Sequence, residues 1–242
     1  MAIVIISRQI GSLGDEIAKA VSDRLGYKYI EKTKISHVIS EKGFSLFDFD
    51  KFDEKKPSIW QSISLHKIKF SHLIKSAIYE LIAKDNVVIL GRGGQAILRD
   101  FPKALRVRII ASHPTRLSRI KDEMGCTEEK ANQIIIQSDR DRFGYVRALF
   151  NEDWDDISLY DLVINTNTMS LETAVKMIAF AVEANEFNNS PEVLEKCREL
   201  SLTQKAVADH LDIPDLESKI INAMGEAEKE LARPPFIRRR KG

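Results

Sequence analysis

The sequence predicts an α/β fold with a central parallel sheet covered by helices on both faces. Three observations carry that expectation. Residues 2–6, 87–90 and 105–111 are short apolar runs rich in β-branched side chains, the pattern of strands buried on both faces. Glycine clusters follow the first two runs, and Pro114 follows the third. Segments of helical period then alternate with the strands, which is the arrangement of a parallel sheet.

In order along the chain, residues 2–6 form the first strand, and Gly11, Ser12 and Gly14 punctuate its end. Ile17, Ala18, Val21 and Leu25 then recur at helical spacing, and Gly26 sits where a C-terminal cap glycine would. Residues 27–30 are a second short strand. Residues 33–84 are mostly helical in pattern, with a break at 43–57 that carries Phe47, Asp48, Phe49, Asp50, Phe52 and Asp53. That break is either a lobe over a ligand site or a surface connection. Pro114 marks a helix start. Residues 116–148 divide into two helices at Gly125-Cys126-Thr127, with Thr127 as N-cap of the second. Residues 161–165 are another strand. Ser170 caps the helix that follows it, to about residue 184. The polar, asparagine-rich stretch from Glu183 to Ser190 reads as a linker, and residues 191–231 as a helical segment apart from the rest. The expected division is residues 1–187 for the α/β domain and 188–242 for a helical extension with a basic, disordered tail.

Composition narrows the function. A chain of 242 residues with 43% hydrophobic content can fill a real core. Charged residues reach 30%, yet the net charge is +1, so nothing demands nucleic acid, a membrane surface or an acidic polymer. Cys126 and Cys197 have no metal-ligand spacing, which argues against a disulfide framework or a protein-held metal. The opening apolar run is too short for a signal peptide, and no run can span a bilayer. A cytoplasmic protein is expected.

Two glycine turns are candidate ligand sites. Residues 6–16 join the first strand to the first helix, where backbone N–H groups and the helix dipole favour anions. The loop departs from G-x-x-x-x-G-K-[ST]: no lysine follows Gly14, and Asp15 and Glu16 are acidic. A plain tight turn would look similar. Arg8 is the nearest cation able to replace the lysine. The second turn, Gly91-Arg92-Gly93-Gly94, also follows a buried strand. It places an arginine in the crevice where α/β folds bind ligands, with a fork suited to phosphate. Ligand binding, with the flanking glycines clearing space, is weighed against helix capping or a pair with Asp100. Further on, Arg116, Arg119, Arg140, Arg142 and Arg147 lie on adjoining helices. They can close over a phosphorylated ligand or form an ordinary charged surface.

These segments, in this order, resemble the cytidylate kinase family and in particular its divergent cytidylate kinase-like branch. The resemblance rests on Ser7 to Gly14, on Val88-Ile89-Leu90-Gly91-Arg92-Gly93-Gly94, and on residues 106–119. It also rests on 139–166 with Asp-Arg-Asp-Arg, Tyr145, Trp154 and Tyr160-Asp161-Leu162-Val163-Ile164-Asn165-Thr166. It covers residues 2–185 and implies a P-loop NTPase-like three-layer sandwich with a helical lid. It also implies transfer of the γ-phosphoryl of ATP, with Mg2+, to a nucleoside monophosphate such as CMP. Gly11, Ser12, Leu13 and Gly14 would then cradle donor phosphates. Arg8, Arg92, Arg140 and Arg142 would be the catalytic cations. Arg92, Gly93 and Asp141 would meet the acceptor, and Arg116 and Arg119 would belong to the lid. Gly14 and Gly93 depart from the lysine and the acid of classical members, and Gln137 and Gly144 stand where those carry arginines. The alternative is a non-catalytic nucleotide sensor or interaction module on the same fold.

The C-terminal segment from Leu202 to Pro214 has a faint helix-turn-helix look, but residues 215–224 are poor in base-reading side chains. Packing on the core, or on a homodimer or protein partner through residues 191–231, is favoured over nucleic acid.

Overall fold

The computed structural model describes residues 2–43, 65–84, 86–101, 103–187 and 190–211. The break at 43–57 lies almost wholly outside these residues, as does the chain beyond Leu211 with its basic end.

Five parallel strands form one sheet in the order β2-β3-β1-β4-β5, with β1 Ile3–Arg8, β2 Lys28–Ile30, β3 Val87–Leu90, β4 Ala104–Ile110 and β5 Leu162–Asn165. The helices are α1 Gly14–Leu25, α2 Lys32–Glu41, α3 Leu65–Ile82, the single turn α4 Gly94–Ile97, α5 His113–Met124, α6 Glu128–Phe150, α7 Leu171–Val182 and α8 Pro191–His210. Thr127 and Ser170 are N-caps as expected, accepting from the N–H groups of Lys130 and Thr173.

Strand β1 shows why the sheet is buried on both faces. Ile3 and Ile5 point into one core with residues of α2, α3 and α6, whereas Val4 and Ile6 point into the other with Ile17 and Val21 of α1 and Ile178 of α7. All four are fully buried. Together the two cores make the sheet the middle of three layers.

Helix α8 packs along α3. Ser76 Oγ donates to the Ser201 carbonyl at 2.8 Å, and Ser201 Oγ returns a bond to the Ser76 carbonyl at 2.9 Å. Cys197 and Ala208 are fully buried in the core that holds Phe70 and Ile74. The stretch that suggested a helix-turn-helix runs from Leu202 to His210 inside this one helix. The second helix of that motif would lie outside the described residues. Among the described residues no helix is long and apolar enough to cross a membrane.

Candidate functional site

The chain leaves β1 toward β2 and β3 on one side and reaches β4 and β5 on the other. The carboxyl end of β1 is therefore a switch point, where open α/β sheets bind ligands. Both glycine turns open there, one after β1 and one after β3.

The first turn is held from behind. Arg116 Nε donates to the Ile10 carbonyl at 2.7 Å, Arg119 to the Gly11 carbonyl at 3.1 Å, and Thr166 Oγ1 to the Ser12 carbonyl at 2.9 Å. In a trans peptide the N–H points opposite the C=O, so these bonds direct the Gly11 and Leu13 amides away from the three donors. Gly11 and Leu13 both have left-handed backbones, at φ 73° and 63°. Gly11 also lets α5 approach, because a Cβ there would lie 3.0 Å from the Arg116 carbonyl oxygen. Ser12 is buried and donates to the carbonyls of Gln9 and Ile109.

Arg116 and Arg119, expected on a lid, thus have their guanidiniums on the turn's carbonyl side. Arg116 is also bound bidentately by Asp139 at 2.8 Å, and Arg119 donates to the Thr166 carbonyl at 2.7 Å. Neither lines the cleft described next. The physical reason is that the loop's carbonyls need donors and α5 is the helix packed against them.

An open cleft of about 910 Å³ separates the first turn from α6. Arg8, Ile10 and Asp15 form one wall; Lys130, Gln133, Gln137, Asp141 and Arg142 project from α6 on the other. Gln137 donates to the buried Asp141 carboxylate at 2.6 Å, and Arg142 bonds Ser138. Arg140 is exposed and lines neither this cleft nor the inner pocket beneath it. Arg8 pairs with Asp15 at 2.8 Å.

The inner pocket is formed by Ser7, Arg8, Gly91, Arg92, Gly93, Gln95, Arg142, Tyr145, Val146 and Trp154. Arg8 and Arg142 line both spaces. Three guanidiniums border this pocket, and no carboxylate does among the described residues. The pocket is narrow, with space for the centre of about one water. Arg92 has a left-handed backbone, φ 56°, is 3% exposed, and stands 5.0 Å from the centre of the Tyr145 ring. Gln95 is buried, and its Oε1 has no hydrogen-bond partner among the described residues.

The glycines beside Arg92 clear space for the protein's own side chains. A Cβ at Gly93 would lie 2.1 Å from the Phe150 ring, and one at Gly94 would lie 2.9 Å from Ile5. This corrects the expectation that they make room for a ligand. The room is taken by α6 and β1 packing against the turn.

Sequence reasoning missed Arg108. Its guanidinium, on β4, is buried and lies 3.6 Å from the centre of the Trp154 ring. It donates to the Trp154 carbonyl, the Tyr160 hydroxyl and the Asp155 carboxylate. Trp154 Nε1 in turn donates to Ser7 Oγ at 3.0 Å. Burial pushes the Tyr160 phenol above its usual range, against the opposing pull of Arg108. A charged residue inside the apolar run 105–111 was the available signal, since a buried cation must be partnered.

A parallel sheet in this order, with a glycine turn at its switch point and a helical pair across the crevice, defines a P-loop-type three-layer α/β protein. The chain belongs to the cytidylate kinase-like family, whose model matches residues 3–168. It is 25% identical over 182 residues to a cytidylate kinase of Pyrococcus horikoshii, covering 75% of this chain and 88% of that one. It is 28% identical over 189 residues to a cytidylate kinase of Archaeoglobus fulgidus, covering 76% and 96%. The crystal structure of an uncharacterised protein from Eubacterium ventriosum is similar at a TM-score of 0.58 and 23% identity, covering 76% of this chain and all of that one.

Proposed function

We propose that the protein is a nucleoside monophosphate kinase that moves the γ-phosphoryl of ATP to a pyrimidine nucleoside monophosphate such as CMP. The observation that carries the reading is the convergence of Arg8, Arg92 and Arg142 on one inner pocket beneath the open cleft. Phosphoryl transfer needs cations around a spread negative charge more than it needs a base. Arg92 would hold the acceptor phosphate, with Arg142 beside it. Asp141, buried on α6, would accept from the acceptor sugar. The outward amides of the first turn would face the donor phosphates. An acceptor phosphate oxygen attacks the γ-phosphorus in line as the bond to ADP breaks, and no side chain has to take a proton.

Mg2+ in such reactions is held largely by the nucleotide's phosphates and water, with one or two carboxylates. Among the described residues no group of three His, Cys, Asp or Glu side chains could hold a metal. A metal carried in by ATP fits this set of residues, with its charge offsetting that of the transferred group.

The test is phosphoryl transfer from Mg-ATP across a panel of nucleoside monophosphates, with the folded state checked by circular dichroism. CMP or another pyrimidine monophosphate is expected to be phosphorylated. A folded protein inactive across the panel would remove the claim. A second reading, nucleotide binding without turnover, is favoured by the acidic Asp15 on Arg8 and by the small inner pocket. It predicts thermal stabilisation by nucleotides with no product.

A further inference from the structure

The loop from residue 8 to residue 15 can be laid on the G-x-x-x-x-G-K-[ST] pattern position by position. The pattern's first position is glycine and its seventh is lysine. Here the first is Arg8 and the seventh is Gly14, while the sixth, a glycine in the pattern, is Leu13 with a glycine-like φ of 63°, and the eighth is Asp15. Cation and glycine have traded places.

The structure supplies the reason the trade must be reciprocal. Arg8 is the last residue of β1 and Gly14 the first of α1. A Cβ at Gly14 would lie 2.3 Å from Arg8 Cβ and 2.5 Å from Arg8 Cγ. Two side chains cannot share that space, because real Cβ contacts do not fall so short. Gly14 is absent from the glycines with positive φ, so its backbone has no need of glycine. Only the stem of Arg8 demands it. A side chain can rise from the strand or from the helix, but not from both.

The guanidinium remains where a loop cation is useful. Arg8 lines both the open cleft and the inner pocket, and it is only partly exposed, at 15%. Its partner is Asp15, 57% exposed, at the pattern's eighth position. The carboxylate therefore occupies the cation that a phosphate would take.

We infer that Arg8 is this loop's phosphate-binding cation, moved from the helix to the strand by a reciprocal glycine exchange, and that Asp15 is the counter-ion an incoming phosphate displaces. The inference rests on the proposed phosphoryl chemistry and adds the source of the charge. It also explains how a loop without a lysine after its last glycine can still bind a triphosphate.

The test uses the full chain, with ATP and inorganic tripolyphosphate as probes, read by calorimetry and by thermal shift. Arg8→Gly is expected to weaken triphosphate binding about 10-fold or more, the scale of a lost hydrogen bond to a charged group. Arg8→Gly with Gly14→Lys is expected to recover most of that loss. Glycine is needed at position 8, since alanine would keep the colliding Cβ. Asp15→Asn is expected to tighten binding about two- to fivefold, the range for a partly exposed ion pair. Should the double variant not fold, the steric half is read from Gly14→Ala. It should lower the melting temperature in the wild-type background and do so much less beside Arg8→Gly.

Triphosphate binding that survives Arg8→Gly, or a folded double variant no better than Arg8→Gly, would overturn the exchange. So would Gly14→Ala costing the same in both backgrounds. Asp15→Asn with unchanged or weaker binding would overturn its role as the displaced counter-ion. A wild-type protein that binds neither probe would instead remove the proposed function.

Discussion

The Arg108 guanidinium lies over the Trp154 ring, its carbon 3.6 Å from the ring centre, and both residues are buried. Strand β4 is thereby fastened to the segment after α6, and that segment to Ser7 beside Arg8. Arg108→Met keeps much of the volume and removes the donors to Trp154, Tyr160 and Asp155. A loss of about 2–4 kcal/mol is expected from the buried bonds and the cation–π contact. Urea unfolding at neutral pH measures it. A loss under about 1 kcal/mol would show that the cluster is held by packing alone.

Gly93 and Phe150 form a second dependent pair. Gly93→Ala forces a Cβ to within 2.1 Å of the Phe150 ring at a residue whose φ is already 71°. The cost is expected to reach about 2–4 kcal/mol, from overpacking and backbone strain together. Phe150→Leu should relieve part of it, so the two changes combine non-additively in a double-mutant cycle. Strict additivity in chemical denaturation would rule out the contact as the cause.

Glu80 gives a pH dependence with a definite sign. Burial raises its pKa, but the hydrogen bonds and charges of Lys42 and Lys84 outweigh burial and hold it below the ordinary value of 4.5. A folded pKa below the unfolded one stabilises the protein above about pH 4.5, and that contribution is lost as pH falls through the folded value. Wild type should therefore lose more thermal stability than Glu80→Gln between pH 6 and pH 3. Parallel melting curves for the two proteins would contradict this assignment.

Cys197 should be chemically silent while the fold is intact. It is buried between α8 and α3, and burial pushes its thiol up to about 11. Cys126 is partly exposed. Alkylation by iodoacetamide at pH 8, followed by peptide mass analysis, should label Cys126 first and Cys197 only on opening of α8. Equal labelling rates would mean that α8 does not stay on α3 in solution.

Much of the fold was legible because it depends on short-range patterns. Continuous apolar strands, caps such as Thr127 and Ser170, and glycine stops such as Gly26 each report a local burial or hydrogen-bond need. The single-turn α4 escaped notice because four residues carry no period. The site was legible only as a set of candidates. Arg8, Arg92 and Arg142 do meet at one pocket, whereas Arg140 faces solvent.

By itself the sequence determined the alternation of buried strands and amphipathic helices, and with it the parallel sheet and the crevice at the end of β1. Tertiary structure alone decided what each arginine touches. Arg116 and Arg119 look like lid residues when read three apart on one helix. Their partners, the Ile10 and Gly11 carbonyls, are 106 and 108 positions away, and only the packed chain brings them together. The same holds for Gly14, whose lack of a side chain reads as a turn signal until the stem of Arg8 is found in its place. Periodicity records whether a side chain is buried, but its partner is set by contacts between distant segments, and those exist only once the layers have packed.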